Sequence, residues 1–342
     1  MLTFLFCLCC TQIKSDPDAN EDKDVVCFVY HRVGDSRYPS TNVSVSDFET
    51  HLKYLVSQKF QLLTLSDAIA YLKSAKPKQK TAVVTIDDGY KSFYKNGLPL
   101  LRKYKVPATL FINTETVGAG DYMDWTQLQS AMKSNVEIGN HTHSHRYFLN
   151  ETASVRYQLF RDEIAASQKA IAEKLQVTPL VFSYPYGEFD NKMVSIARDA
   201  GFIGAAAQNS GVLDAHTDLF LIPRFPMSES YAAKAKFVEK SAMRALAVVE
   251  VSPVDNLIDS DSQPVLKLSI QNEDISPDKL HCFIQGGGCD LKIIAQSENE
   301  LTFTVRPLQP LRRRRTLYTV TAQGKTGKWY WHSYLWVNPA VK

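Results

Sequence analysis

Between Val25 and about Lys240 the sequence repeats one grammar, a short apolar run followed by an amphipathic segment. VVCFVY (25–30) reads as a strand. SVSDFETHLKYLVSQ after it reads as a helix, with Ser46 as N-cap, Glu49 completing a capping box, and Phe48, Leu52, Leu55 and Val56 on one face. FQLLTL leads to a helix capped by Ser66, AVVTI to a helix around 91–104, and ATLFIN to WTQLQSAM. VEIGN leads to a long helix near 151–175 and LVFSY to NKMVSIARDA, and FIGAAAQ and LFLIPRF follow. Seven or eight such units in about 215 residues predict a parallel sheet wrapped by helices, as a (β/α) barrel or a doubly wound sheet.

After MRALAVVEVSP the helices stop. PVLKLSIQ, LKIIAQ, ELTFTVRP, LYTVTAQG and KWYWHSYLWV alternate between Gly, Pro and Asn breaks, which predicts an all-β sandwich over 246–342. Trp329, Trp331 and Trp336 are expected in its core, because alternation buries one face of any strand.

Composition excludes little. The chain has 342 residues, 44% hydrophobic and 22% charged, which suits a well-cored globular protein. Net charge is only +3, and the one dense basic run, Arg312 to Arg315, reads as a solvated face or turn, so no nucleic-acid partner is implied. Residues 1–22 open on MLTFLFCLCC and turn polar and acidic, the pattern of an export leader and an extracytoplasmic protein. The apolar part is too short for a transmembrane span, although Cys7, Cys9 and Cys10 leave a lipid anchor open. Cys282 and Cys289 bracket FIQGGG, whose glycines would let a hairpin close with a disulfide, consistent with an oxidising compartment. The chain is expected to act as a monomer.

The chemistry-bearing residues share one placement, just after an apolar strand: His31, Asp87 with Asp88, His141 with His145, Tyr184 to Tyr186, and Arg224. In parallel α/β folds the carboxyl ends of the strands face one crevice, so these segments should converge. In GNHTHSH a turn can aim His141 and His145 at one point, with His143 facing elsewhere. A carboxylate from Asp88 completes two nitrogens and one oxygen, a donor set with positions open for water and substrate. Two adjacent carboxylates repel unless something compensates, and a cation on Asp88 leaves Asp87 to serve as a general base.

On these residues the chain resembles the polysaccharide deacetylases with a NodB homology domain, carbohydrate esterase family 4. TIDDGY is similar to the family's TFDDG, whose first Asp is the base and second a metal ligand, and HTHSH to its HTxxH, whose outer histidines are ligands. SYPYGEFD resembles the third motif, Arg-x-Pro-Tyr, which implies an oxyanion-holding backbone N–H at Tyr186, with Tyr184 and Pro185 beside the substrate. YMDWTQL resembles the fourth, with Trp125 lining the groove. The resemblance spans residues 25 to about 240.

Two positions depart from the pattern. Ser183 stands where the third motif has Arg, so another residue must orient the base, and Arg224 is the candidate. The late Leu-x-His that supplies the usual acid has no clear match beyond His216 in LDAHTD. Both departures, together with VYHRVG, resemble the subgroup that deacetylates poly-β-1,6-N-acetylglucosamine in biofilms, in which an N-terminal His is the acid; that role falls on His31.

The resemblance implies a distorted (β/α) barrel of the NodB type over 23–245 and a β-sandwich accessory domain over 246–342. It also implies one divalent metal, zinc with Co2+ or Ni2+ as substitutes, and hydrolysis of N-acetyl groups from an acetylated glycan polymer. The alternatives are an O-acetyl glycan esterase and a glycan-binding protein that has lost activity, the latter opposed by the intact Asp-Asp-His-His set.

Overall fold

A computed structural model describes residues 23–259, 261–271 and 274–341; the leader segment expected over 1–22 lies outside them. The first unit is built on a nine-stranded sheet. Its main path runs Val212–Leu213, Val25–Tyr30, Thr81–Ile86, Ala108–Ile112, Val136–Asn140, Val181–Ser183, Gly204–Ala206, and every pairing after the first is parallel. The two edges meet through one short segment. Ile222 bridges Ala206, and Phe225 and Pro226 pair in parallel with Phe28 and Val29. The sheet thus curls into a distorted (β/α) barrel, closed by the few residues that flank Arg224.

VVCFVY and TAVVTI are buried at every position, as strands covered on both faces must be. The helices follow the expected order with two corrections at their starts. Ser44, not Ser46, caps Val45–Ser57 by accepting from the Asp47 N–H, and Thr64, not Ser66, caps Leu65–Lys73 by accepting from Asp67 N–H. Each hydroxyl two residues earlier has the extended backbone a cap requires. Glu49 closes no capping box; it takes Lys103 and Tyr104 instead. The helix expected around 91–104 opens as a π turn, Phe93–Gly97, before Leu98–Tyr104. Pro99, in the first turn of the latter, has no N–H with which to continue a regular ladder through the junction.

The C-terminal unit is two four-stranded sheets face to face. One contains Arg244–Ala245, Trp329–Val337, Arg315–Gly324 and Ile275–Ile284, the other Val248–Ser252, Leu266–Gln271, Glu300–Pro307 and Cys289–Gln296. Leu268, Ile270, Phe303, Tyr318 and Val320 fill the space between them, and the Cys282–Cys289 disulfide joins one sheet to the other. The tryptophans divide. Trp336 is buried in this core, Trp331 packs edge-on to Phe225 of the barrel, and Trp329 is 39% exposed, against the expectation that all three are core. Outward-facing positions near the end of a strand have no opposing layer to bury them.

Sandwich and barrel share a core. Leu335 and Val337 pack with Phe182, Tyr184 and Phe189, and Ser333 hydrogen-bonds Ser210. The Arg312–Arg315 run is not simply a solvated face. Arg314 grips the buried Glu188 with two hydrogen bonds of 2.7 Å, and Arg315 donates to the Tyr186 carbonyl.

Candidate active site

The strand Thr81–Ile86 delivers Asp87 and Asp88 into the barrel mouth, both buried. Asp88 (φ 72°) and Gly89 (φ 76°) take consecutive left-handed conformations, which turn the chain sharply and send the two carboxylates to different neighbours. Thr142, His145 and Tyr186 also have positive φ. Of the remaining non-glycine residues with positive φ, Lys59, Lys105, Asn135 and Gln176 lie just past helix ends, where such geometry is routine. Glu229 opens the short turn Glu229–Ala232, and the rest of the unusual backbone among the described residues gathers at the barrel mouth, as functional sites commonly show.

Asp87 faces Arg224, a fully buried guanidinium with every N–H used. Nη1 donates to Asp87 Oδ1 (2.7 Å) and Thr85 Oγ1 (3.1 Å), Nη2 to Asp87 Oδ2 (2.9 Å) and Ser183 Oγ (3.0 Å), and Nε to the Ala207 carbonyl (2.9 Å). Burial alone would raise the Asp87 carboxyl, but the Arg224 charge and hydrogen bonds, helped by His141 and His31, outweigh it and hold it below the usual carboxylate range. Ser183, where the resembled motif has Arg, is one of the residues that accept from this guanidinium. The positive charge has moved to another strand end and points at the same acid.

Asp88 faces two imidazoles. Its Oδ1 lies 3.5 Å from both His141 Nε2 and His145 Nε2, and those two nitrogens are 3.2 Å apart. His141 Nδ1 contacts the Ser183 carbonyl at 2.7 Å, an acceptor that requires the proton on Nδ1 and leaves the Nε2 lone pair aimed inward. Burial and the neighbouring His141 lower His145 to about 4, whereas at His141 the two carboxylates outweigh burial and raise it. Burial would lift Asp88, but the His141 hydrogen bond and the charges of His31 and His145 hold it well below the usual range.

The fit to a cation can be tested on these edges. Bonds of about 2.0–2.1 Å in tetrahedral geometry place ligand atoms about 3.4 Å apart, close to the observed 3.2, 3.5 and 3.5 Å. Among the described residues this is the cluster of His, Cys, Asp and Glu arranged to hold a metal ion. His143 stands outside it, hydrogen-bonded to Thr114 Oγ1.

Sequence reasoning did not find what shapes the histidine turn. Glu163, on the long helix Ala153–Leu175, accepts from the His143 and Ser144 N–H groups (3.0 and 2.6 Å) and from Ser144 Oγ, while Asn140 Oδ1 accepts from the Thr142 N–H. A buried Glu on a helix otherwise patterned for packing is the only signal that could have pointed to it.

His31 follows the Val25–Tyr30 strand and is held there because the next two residues pair with Asn42–Val43 and Arg32 sits between the rings of Tyr38 and Tyr90. His31 and Tyr186 both line the cleft between barrel and sandwich. His216 is exposed on a turn and lines a separate cavity. Tyr186 lies in a short helical turn, its ring stacked on Tyr147 (3.6 Å) and edge-on to His145 (4.4 Å).

Three expected substrate contacts change role. Tyr184 is fully buried among Phe182 and Phe189, Pro185 is buried as the first residue of the Tyr186 turn, and Arg224 has no N–H left for a substrate. Of the three, Arg224 positions a neighbour, Asp87, whereas Tyr184 and Pro185 pack in the interior. Trp125 starts the helix Trp125–Met132, half-buried against the main core, and does not line the interdomain cleft.

With this geometry in hand, similarity to known proteins is informative. Residues 74–205 match the family Polysaccharide deacetylase. Over 196 residues the chain is 27% identical to the putative polysaccharide deacetylase YxkH of Bacillus subtilis, covering 55% of this chain and 68% of the relative. Over 213 residues it is 26% identical to poly-beta-1,6-N-acetyl-D-glucosamine N-deacetylase of Staphylococcus aureus, covering 59% and 73%. Among solved structures, Streptococcus pyogenes deacetylase PplD in complex with acetate superposes with a TM-score of 0.59 at 17% identity, over 65% of this chain and 99% of that one. IcaB from Ammonifex degensii gives 0.57 at 24%, over 64% and 97%, and both likenesses speak to the fold alone. Residues 74–205 therefore carry a polysaccharide deacetylase domain of the NodB type, and the chain is a hydrolase of that kind.

Proposed function

We propose that this protein removes N-acetyl groups from an N-acetylhexosamine-containing polysaccharide, poly-N-acetylglucosamine or a similar glycan, releasing acetate and leaving a free amine. The observation that carries the reading is the division of labour between adjacent acids: Asp88 facing His141 and His145, and Asp87 facing Arg224. A binding protein has no need of an ionised carboxylate held beside a cation site.

Asp88 Oδ1, His141 Nε2 and His145 Nε2 would hold the metal, zinc with Co2+ or Ni2+ as substitutes. When bound it would polarise the acetyl carbonyl and acidify the attacking water. Asp87 accepts that water's proton on a carboxylate oxygen, which Arg224 keeps oriented and ionised. The Tyr186 backbone N–H donates to the carbonyl oxygen as charge develops there. The new carbon–oxygen bond forms, the carbon–nitrogen bond breaks, and His31 supplies the proton that lets the amine leave.

An extracytoplasmic setting accords with the Cys282–Cys289 disulfide, and among the described residues no helix is long and apolar enough to cross a membrane. The all-β unit over 246–342 serves the catalytic unit as an accessory that braces the Tyr186 turn. Acetate release should be measured from N-acetylated and O-acetylated glycans in parallel, with and without a chelator. Chelator-sensitive release from the N-acetylated glycan supports the reading. Release from O-acetylated glycans alone makes the protein an esterase, and release from neither returns it to a binding role.

A further inference from the structure

The cleft bordered by His31 and Tyr186 runs between barrel and sandwich and encloses about 850 Å³. Its charge is lopsided. Five basic side chains line it, Lys236, Lys240, Arg313, Arg314 and Arg315, against one acidic, Glu239. Three of the five are compensated: Lys240 by Glu239 at 2.7 Å, Arg314 by Glu188, and Arg315 by the Tyr186 carbonyl and, at 3.8 Å, Glu188. Lys236 and Arg313 are exposed and have no carboxylate at ion-pair distance among the described residues. One stands on the barrel side and the other on the sandwich side, so the uncompensated charge faces the cleft from both walls.

The same walls carry exposed rings. Tyr231 on the barrel is 53% exposed, with the Lys236 ammonium 5.5 Å from its ring centroid, and Phe283 on the sandwich is 60% exposed; the half-buried Trp331, also in the cleft wall, bears the Lys240 ammonium at 3.7 Å. Exposed aromatics flanking a cleft offer apolar faces to sugar rings, while cations without a carboxylate partner give a neutral sugar hydrogen bonds but no charge attraction. A neutral poly-N-acetylhexosamine would gain no charge attraction from Lys236 and Arg313, and its deacetylated, ammonium-bearing product would be repelled. A polymer carrying regular carboxylate or phosphate groups would be drawn in, its charge meeting cations concentrated between low-dielectric walls.

We propose that the interdomain cleft binds the glycan on one side of the scissile acetamido sugar and selects an anionic polymer, in which acetylated hexosamines are accompanied by carboxylate or phosphate groups. The proposal rests on the deacetylase reading of the neighbouring site. It adds that Lys236 and Arg313 set specificity without touching the reaction.

Three probes test it by calorimetry on the full chain: a hexasaccharide alternating glucuronate with N-acetylglucosamine, an oligomer of N-acetylglucosamine 1-phosphate, and a neutral β-1,6-linked N-acetylglucosamine hexamer. At low salt at least one anionic probe should bind roughly ten-fold tighter than the neutral one, the combined size of two exposed charge contacts. The gap should close as salt shortens the screening length. Which anionic probe leads identifies the source of the charge. The double variant Lys236→Ser with Arg313→Ser should erase the gap by weakening the anionic probes toward the affinity of the neutral one, and Arg313→Lys should keep most of it. Neutral binding as tight as both anionic probes, or a gap that survives the double variant, overturns the proposal. Because acetate release is read separately, that outcome is distinguishable from failure of the deacetylase reading, which shows as no acetate from any glycan.

Discussion

Two arginines do related work in different parts of the molecule. Arg224, in the segment that closes the barrel, is fully buried and spends all five N–H groups within the protein, two of them on Asp87. Arg314, on the sandwich, keeps 12% of its side chain exposed and spends two hydrogen bonds on Glu188, two residues beyond Tyr186. The first sets the charge and aim of the carboxylate we propose as the base. The second holds the turn whose N–H, in the mechanism we propose, would face the substrate. Inside the barrel, pairing is compulsory because a lone carboxylate there would be uncompensated; at the domain junction, water shares the work. On the proposed mechanism the chemistry thus resides in the barrel, and its fine positioning is shared with the accessory unit.

The comparison breaks first if the barrel residues are not what they are taken to be. Asp88→Ala or His145→Ala should carry metal content from full to near zero and remove nearly all acetate release, while His143→Ala keeps both; metal analysis of the purified variants decides. Loss of metal from His143→Ala with retention by His145→Ala would reassign the donors. Next in size is Arg224→Met. It strands Asp87 in a dry site, so it should lower stability by about 3–5 kcal/mol in chemical denaturation and remove most activity from whatever remains folded. Arg224→Lys should recover only part of either, because an ammonium cannot make the two-pronged contact.

These partnerships explain what could be read in advance. The barrel, the sandwich and the donor set were legible because each depends on local signals: strand runs of period two, helix caps, Asp87 next to Asp88, and histidines four residues apart. Arg224 was visible only as a candidate, since nothing within a short window ties it to an acid 137 residues away. Arg314 was misread as part of a solvated run for the same reason, its partner being 126 residues distant. The misplaced caps at Ser46 and Ser66 have a smaller cause: Ser-x-Ser and Thr-x-Ser offer two hydroxyls in register, and backbone conformation chooses between them. Tyr184 was misassigned because a motif names residues without saying which way each side chain points, and strand alternation sends this one into the core.

His31 provides the third test. His31→Ala should leave stability and metal content near normal and slow turnover roughly 10²–10⁴-fold, the usual cost of losing a general acid. His216→Ala should be nearly silent. A crippled His216→Ala beside a competent His31→Ala would return the acid to the later position and remove the N-terminal strand from the chemistry.

The smallest expected effect is the one that bears most directly on the contrast between the two arginines. Arg314→Ala leaves Glu188, whose side chain is 2% exposed, without its main partner, so the Tyr186 turn should loosen and kcat should fall roughly ten-fold, the scale on which slight misplacement of a reacting group is felt. Metal content should not change, because no donor contacts either residue. Stability should drop by less than for Arg224→Met, since water can reach the vacated side. Removing both charges separates the roles: Arg314→Met with Glu188→Met should regain stability, there being no unpaired charge left, but not kcat, if the pair acts by fixing Tyr186. Should the double variant recover both, or Arg314→Ala lose stability at unchanged kcat, the sandwich arginine is a fastener between domains and nothing more, and positioning within the site belongs to the barrel alone.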